Sequence, residues 1–156
     1  HTFEAAPRSV RYIEELNRAR FSGRLTVTNC RIGDDSADAL DLCAYARAHE
    51  PPDLIKMDIE GAEADAIEEI EPLLEAHEPT LVVEVHPEFL RQRGATDEEL
   101  LATLRDVYDD VRISFDFRSP DGSWEPVDAR WADRHRTESV GNEDYQLYQL
   151  LCIGSR

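Results

Sequence analysis

Residues 53–63 read Asp-Leu-Ile-Lys-Met-Asp-Ile-Glu-Gly-Ala-Glu, and this stretch decides the predicted fold. An apolar run ends on Asp58, and Gly61 marks a tight turn. Apolar residues then recur at helical spacing, at Ala62, Ala66, Ile67, Ile70 and Leu74. The pattern predicts a strand, a turn and a helix. Ligands of open parallel sheets bind outside the carboxyl ends of the strands, so we expect the acids here to face a ligand.

A second strand with the same kind of ending follows. Residues 80–85 form a nearly continuous apolar run, with Glu84 and His86 at its end. Two such strands, each followed by a helix, favour an α/β fold with a parallel sheet covered on both faces. Pro72 interrupts the intervening helix, and we expect a kink there or a new turn over residues 71–77.

Turn and cap signals organise the other segments. A strand ends at Glu4, a helix starts at Pro7 and stops at Gly23, and Thr96 with Glu99 forms a capping box. We predict further strands over residues 25–32, 111–117, 124–127 and 145–153, and a short helix near residues 40–46. The strict alternation within residues 111–117 indicates an antiparallel or edge strand. Because the sequence contains no linker or repeat, one domain spanning residues 1–156 is expected.

The net charge of −17 over 156 residues restricts the partners. Lys56 is the only lysine and no stretch concentrates basic residues, so nucleic acid and anionic membranes would be repelled. Acids on every predicted helix are typical of a halophilic-type surface, whose self-repulsion is screened by concentrated salt.

The cysteines and the hydropathy pattern indicate a cytoplasmic protein. Cys30, Cys43 and Cys152 are odd in number and have no CxxC spacing, so we interpret them as reduced core residues. No apolar run approaches about 18 residues, the length that spans a membrane. Neither a membrane span nor a signal peptide is therefore expected.

The order of these motifs resembles the FkbM-type family of S-adenosylmethionine-dependent methyltransferases. The most specific match is Lys-Met-Asp-Ile-Glu-Gly-Ala-Glu at residues 56–63, which combines a strand end, an acid, a turn and a helix start in the family's order. Supporting matches are Phe-Glu-Ala-Ala-Pro at residues 3–7, Ile-Gly-Asp at 32–34, Leu-Asp-Leu at 40–42 and Glu-Val-His at 84–86. Together the matches span residues 3 to about 117.

The resemblance implies a Rossmann-like three-layer methyltransferase sandwich, with six parallel strands and one antiparallel C-terminal strand. It also implies S-adenosylmethionine as the cofactor and a small-molecule or sugar hydroxyl as the methyl acceptor. Glu4 would bind the cofactor ribose, Asp34 would lie near its adenine, and Asp58 would face its methionine end. The three carboxylates would line one cleft.

The substrate side of that cleft follows from the same resemblance. His86, Asp58 and Glu84 are the expected catalytic residues, with His86 as the general base because neutral imidazole can take a hydroxyl proton near neutral pH. Glu60 and Glu63 are expected to contact the substrate. No metal is expected in this interpretation.

One element of the family is absent. The glycine-rich loop of the Gly-x-Gly kind, which follows the family's first strand, is not found before Glu4. We therefore expect the chain to be the later portion of a longer enzyme, inactive alone, that lacks the first strand and helix. Because that strand lies between the second and fourth strands, its absence should leave two apolar sheet edges open.

Other interpretations of the same residues stay open. Glu60 and Glu63 could simply complement a helix dipole, Glu4 could be a capping acid, and His86 could bond a local carbonyl. Asp58, Glu60, Glu84 and His86 also resemble a ligand set for a hard metal, as in a divalent-metal hydrolase or transferase. A non-catalytic remnant or interaction module is the third alternative.

Overall fold

The computed structural model describes residues 1–33, 39–127 and 147–154. Asp34 and residues 128–146 therefore lie outside the described residues. The strands are β1 (Thr2–Glu4), β2 (Val27–Asn29), β3 (Leu54–Met57), β4 (Thr80–Val85), β5 (Asp110–Ser114), β6 (Glu125–Pro126) and β7 (Tyr148–Ile153). The helices are α1 (Pro7–Arg20), α2 (Leu42–Ala48), α3 (Glu63–His77), α4 (Pro87–Gln92) and α5 (Asp97–Val107).

The strands form two hydrogen-bonded ladders. β1 pairs with β2 in parallel, and a five-stranded sheet has the order β3-β4-β7-β5-β6. β3 and β4 are parallel, whereas β7 lies between β4 and β5 and runs antiparallel to both. The expected antiparallel C-terminal strand is thus confirmed within an α/β fold. The two-residue β6 adds a second reversed strand, which corrects the expectation of only one.

The two ladders share no hydrogen-bonded strand pair among the described residues. There, β1 pairs only with β2, and β3 pairs only with β4. Each of these strands therefore has one side without a ladder partner among the described residues. That a further strand lies between them in a longer enzyme stays a prediction.

The core lies between the five-stranded sheet and the helices α3 and α5. α3 buries the face predicted from its spacing, including Ile67, Ile70 and Leu74. α5 contributes Leu100, Leu101 and Leu104, and it starts at the predicted capping box, in which Thr96 and Glu99 each bond the other's backbone amide. Burial of each such leucine stabilises the fold by roughly 1.5–3 kcal/mol.

α1 lies outside this core. Val10, Ile13 and Leu16 on its predicted apolar face are only half-buried, and Ala19 is exposed. Its one buried residue is Asn17, whose side chain donates to the Leu25 carbonyl at 2.7 Å and accepts from the Leu25 amide at 3.0 Å. This pair of bonds fixes the chain where it turns from α1 towards β2.

Several elements differ from the sequence prediction: β2 is shorter than the strand predicted over residues 25–32, and α4 was not predicted. Two further differences have a physical cause in the structure. α3 continues through Pro72 as one helix, so no separate turn forms over residues 71–77. Ile70 and Leu74, on either side of Pro72, are buried, and this burial offsets the lost backbone hydrogen bond. β5 ends at Ser114 rather than at residue 117, because the Asp116 carboxylate accepts hydrogen bonds from the Ser114 hydroxyl and the Ser123 amide and starts a turn.

The cysteines are all free thiols, but only one belongs to the core. Cys152 on β7 is fully buried, whereas Cys30 and Cys43 are half-buried. The prediction of three core cysteines is therefore wrong for two of them. Within the described residues, no helix combines the length and the hydrophobicity needed to cross a membrane.

Candidate active site

Three predicted residues come together at the carboxyl ends of β3 and β4. Asp58 directly follows β3, Glu84 lies near the end of β4 and His86 directly follows β4. Because the two strands are parallel neighbours, their carboxyl ends lie side by side. One ligand atom from each of the three side chains lies within 4.8 Å of the other two.

The imidazole of His86 has a defined orientation. Its Nδ1 lies 3.0 Å from Oε1 of Glu63, which is a hydrogen-bond distance. Its Nε2 lies 3.8 Å from Oδ1 of Asp58, which is too long for a hydrogen bond. The ring stacks on Phe89, with centroids 5.8 Å apart and planes 20° from parallel. His86 is nine-tenths buried, with Nε2 directed towards Asp58.

Glu63 lies beneath His86 in the first turn of α3. Its side chain is fully buried, and its Oε1 also accepts the Gly61 amide at 3.1 Å. Its Oε2 is buried without a hydrogen-bond partner. The first turn of a helix is electrostatically favourable for a carboxylate, which reduces the cost of burying this one.

The environment of Tyr148 shows that the region around Glu63 is poorly solvated. The Tyr148 ring is buried on β7, and its hydroxyl donates to Asp97 at 3.4 Å. Burial raises the pKa of the Tyr148 phenol well above its usual value, and the negative charges of Asp97 and Glu63 raise it further. Glu63 therefore acts on its neighbours through a poorly solvated interior.

Glu84 is held by groups from other strands and loops. Arg118 donates to its Oε1 at 2.9 Å, and Gln149 donates to its Oε2 at 3.2 Å. Gln149 reaches it because β4 and β7 align Glu84 with Gln149 in register. Both carboxylate oxygens of Glu84 are thus already hydrogen-bonded.

Lys56 supplies a positive charge between the acids. Its Nζ lies 3.7 Å from Asp58 and 3.9 Å from Glu84, and it donates to the Met57 carbonyl at 3.1 Å. Lys56 thus forms an ion pair with each of the two acids. Lys56 and Asp58 are each nearly half exposed, so solvent weakens their attraction.

A family profile for the methyltransferase FkbM domain matches residues 1–110, which is well over half of the chain. The chain belongs to the FkbM methyltransferase family. Its fold is similar to the crystal structure of methyltransferase FkbM from Methylobacillus flagellatus KT, with a TM-score of 0.59 and 18% sequence identity. That alignment covers 96% of this chain and 35% of the solved chain. No curated protein matches the chain.

Glu60, Glu4 and Asp34 are the other predicted residues, and the structure does not show them within the His86 cluster. Glu60 is exposed in a left-handed turn, with φ of 52°. Glu4 lies in the two-stranded ladder, where its Oε1 accepts the Ala6 amide at 2.7 Å. Asp34 is outside the described residues. The cleft formed by the carboxylates at 4, 34 and 58 therefore stays a prediction.

The full burial of Glu63 bears on its predicted role. A carboxylate with no exposed surface cannot touch a substrate without a rearrangement, so its contact with His86 is the better guide to what it does. This position argues against the predicted substrate contact of Glu63. The depth of Glu63 depends on how α3 packs against β4, which no local motif encodes.

A surface cavity of about 590 Å³ lies next to the Gly33 turn rather than at the His86 cluster. Arg93 joins its walls by donating to the Gly33 carbonyl and to the Asp65 carboxylate. Its lining includes Gly33, Leu40, Asp41, Asp65, Glu69 and Arg93. The Gly33 turn precedes Asp34, the acid that the family resemblance predicts to lie near the cofactor adenine.

Sequence reasoning missed three contributors to the FkbM site. Phe89 stacks on His86. Its position three residues after His86, at the start of α4, is the sequence feature that could have predicted this contact. Arg118 and Gln149 bond Glu84 across 34 and 65 residues of sequence. Such distant partners have no local signal, because strand register and loop path bring them together.

Proposed function

We propose that this chain forms the acceptor side and part of the donor side of an S-adenosylmethionine-dependent methyltransferase. Its acceptor would be a hydroxyl of a small molecule or sugar, and His86 would be the general base. The observation that carries the proposal is the Nε2 atom of His86, which has no hydrogen-bond partner among the described residues and points towards Asp58 at the ligand-binding edge of the sheet. Membership of the FkbM family supports methyl transfer in general.

The residues of this chain fit the donor in part. Glu4 ends a parallel strand and is half-buried, and only its Oε1 has a hydrogen-bond donor among the described residues. Its second oxygen is thus available to accept ribose hydroxyls, for which a carboxylate is the suitable partner. Asp58 would face the methionine end and Asp34 the adenine. When bound, S-adenosylmethionine supplies an electrophilic methyl group on a sulfonium.

His86 would take the proton that the acceptor hydroxyl loses. The acceptor oxygen would displace the sulfonium sulfur from the methyl carbon, so that S-adenosylhomocysteine leaves as a neutral thioether. The hydroxyl proton would move to Nε2, while Nδ1–H keeps its bond to Glu63. The resulting imidazolium would lie between the carboxylates of Glu63 and Asp58, which stabilise its positive charge. Alignment of the hydroxyl with the methyl group supplies a further part of the acceleration.

The charge of the site supports a neutral, polyhydroxylated acceptor. Asp58 is half exposed beside His86, and Glu60 is exposed on the neighbouring turn. Carboxylates accept hydrogen bonds from sugar hydroxyls, whereas they repel phosphates and carboxylates. Glu60 is the residue of this turn that we propose contacts the substrate.

Turnover with a panel of sugars and small alcohols tests this function. The complete protein would be incubated with S-adenosylmethionine, and release of S-adenosylhomocysteine would be measured. His86→Ala should lower kcat by about 100-fold or more, the range of general-base catalysis. His49→Ala alters an exposed histidine outside the site and should leave kcat unchanged. A His86→Ala enzyme with normal turnover would remove the base role.

The metal-dependent alternative has one observation in its favour. Three of its four predicted ligands, Asp58, Glu84 and His86, converge, and such nitrogen and oxygen donors suit a divalent cation. Against it, Arg118 and Gln149 already bond both oxygens of Glu84. Thermal unfolding decides between them: stabilisation by Mg²⁺ or Mn²⁺ alone, with no response to S-adenosylhomocysteine, would favour the metal enzyme.

A further inference from the structure

We propose that Glu63 is a positioning residue that holds His86 in a single neutral tautomer, with the proton on Nδ1 and the lone pair of Nε2 facing the acceptor. This inference rests on the proposed function, because it assigns a partner to the base named there. Glu63 touches neither donor nor acceptor in this scheme. It acts through the imidazole that it bonds.

The hydrogen-bond pattern fixes the direction of the Glu63–His86 bond. Oε1 of Glu63 accepts the Gly61 amide at 3.1 Å, and the same atom lies 3.0 Å from Nδ1 of His86. An ionised carboxylate only accepts hydrogen bonds, so with Glu63 ionised Nδ1 is the donor in the second bond. In neutral imidazole a proton on Nδ1 leaves Nε2 unprotonated.

Burial makes this tautomer costly to lose. Glu63 is fully buried, and its second oxygen has no hydrogen-bond partner. If the proton moved to Nε2, Nδ1 and Oε1 would face each other as two acceptors in the buried interior, and the buried carboxylate would lose one of its two donors. A solvated histidine has no such constraint.

Packing prevents the ring from escaping the constraint by rotation. Phe89 stacks along one face of His86, and the Phe89 backbone and Cβ lie against Gly61. Gly61 in turn donates to Glu63, so the turn before α3 packs against α4 through Phe89. The base, its partner and the aromatic ring thus form one packed unit at the carboxyl ends of β3 and β4.

The Glu63→Met variant separates this role from simple packing. Methionine has nearly the same length but offers Nδ1 no carboxylate acceptor, so the proton is free to move to Nε2. That tautomer cannot take a proton at Nε2. Loss of an orienting partner of this kind typically costs about 10–100-fold in activity. We expect the loss in kcat, with the KM of the acceptor and the affinity for S-adenosylhomocysteine unchanged.

Nitrogen-15 NMR of labelled histidines in the complete protein reads the tautomer directly. At a pH where the ring is neutral and with no ligand added, His86 should show a protonated Nδ1 and an unprotonated Nε2. Glu63→Met should shift the signals towards a protonated Nε2, whereas Glu75→Met, an exposed change on the same helix, should not. His86→Gln assigns the signals.

A protonated Nε2 in the wild-type protein would overturn the inference, as would a Glu63→Met protein with an unchanged tautomer. The wild-type spectrum decides the matter even if Glu63→Met does not fold. Because no donor or acceptor is present, a protein that transfers no methyl group can still show the Nδ1–H tautomer. Conversely, an active methyltransferase with protonated Nε2 would refute only the role of Glu63.

Discussion

Phe89 occupies the space that a side chain at Gly61 would need. A Cβ built on Gly61 would lie 2.4 Å from Cβ of Phe89 and 2.9 Å from its backbone carbonyl carbon, and Gly61 has φ of 101°. We therefore predict that Gly61→Ala destabilises the protein through strain and overpacking together. The overpacking alone should cost about 1–3 kcal/mol, measured by urea unfolding.

Gly94 provides the matched control for this prediction. It also has a positive φ, of 85°, but a Cβ there would meet nothing within 4 Å. Gly94→Ala should therefore cost only the backbone strain, about 1–2 kcal/mol. Equal losses for the two variants would show that the contact between Phe89 and Gly61 is unimportant.

The three thiols should differ in reactivity. Cys152 is fully buried, and burial, together with nearby Asp110, raises the pKa of its thiol to about 12. Because the thiolate is the reactive form, Cys152 should resist a disulfide reagent in the folded protein. Cys30 and Cys43 are half-buried and should react first. The slowest-reacting thiol should be absent in the Cys152→Ala variant. If Cys152 of the native protein reacted as fast as the other two thiols, its predicted protection by burial would be contradicted.

Tyr108 should tie stability to alkaline pH. Its buried hydroxyl donates to the Pro79 carbonyl at 2.7 Å, and burial raises the pKa of the phenol well above its usual value. Since the folded pKa is raised, the stabilisation is fully present below the unfolded pKa of about 10 and is lost as pH rises above it. Tyr108→Phe should cost about 1–3 kcal/mol near neutral pH and weaken the alkaline decline.

Urea unfolding at neutral and alkaline pH checks the Tyr108 prediction. Tyr12→Phe is the control, because Tyr12 is 62% exposed and should behave as wild type. A Tyr108→Phe protein with the wild-type alkaline decline would mean that other buried groups, such as Tyr148, cause it.

The acidic surface should make stability depend on salt. The net charge is −17, and the Debye length shrinks from about 10 Å at 0.1 M salt to about 3 Å at 1 M. We expect the Tm to rise with KCl over this range as self-repulsion is screened. Sucrose carries no charge and cannot screen self-repulsion, so it should not reproduce the rise in Tm that KCl causes. A Tm that does not increase with KCl would reject the halophilic interpretation.

The sequence predicted the His86 cluster because its cause is local. Two apolar strands, each ending in polar residues, must bring those residues to one edge if the strands are parallel neighbours, as β3 and β4 are. Asp58, Glu84 and His86 could therefore be named from spacing and from the family resemblance. The continuity of α3 through Pro72 could not be predicted, because it depends on the burial of the helix against distant parts of the chain.

The partners of the cluster were beyond local reasoning. Glu63 was predicted to meet the substrate because it follows the turn of the family motif, yet the packing of α3 buries it under His86. Gln149 reaches Glu84 only through the register of β7. Such contacts depend on how distant segments align, and no pattern along the chain specifies that alignment.

Calorimetry of the complete protein tests the central claim most directly. We predict that S-adenosylmethionine and S-adenosylhomocysteine both bind with one site per chain. Glu4→Gln should weaken both by about 10-fold, the effect of losing one charged hydrogen-bond acceptor, whereas Glu14→Gln on the exposed side of α1 should weaken neither. Binding of neither compound to the folded complete protein would contradict the assignment of this chain to a methyl donor.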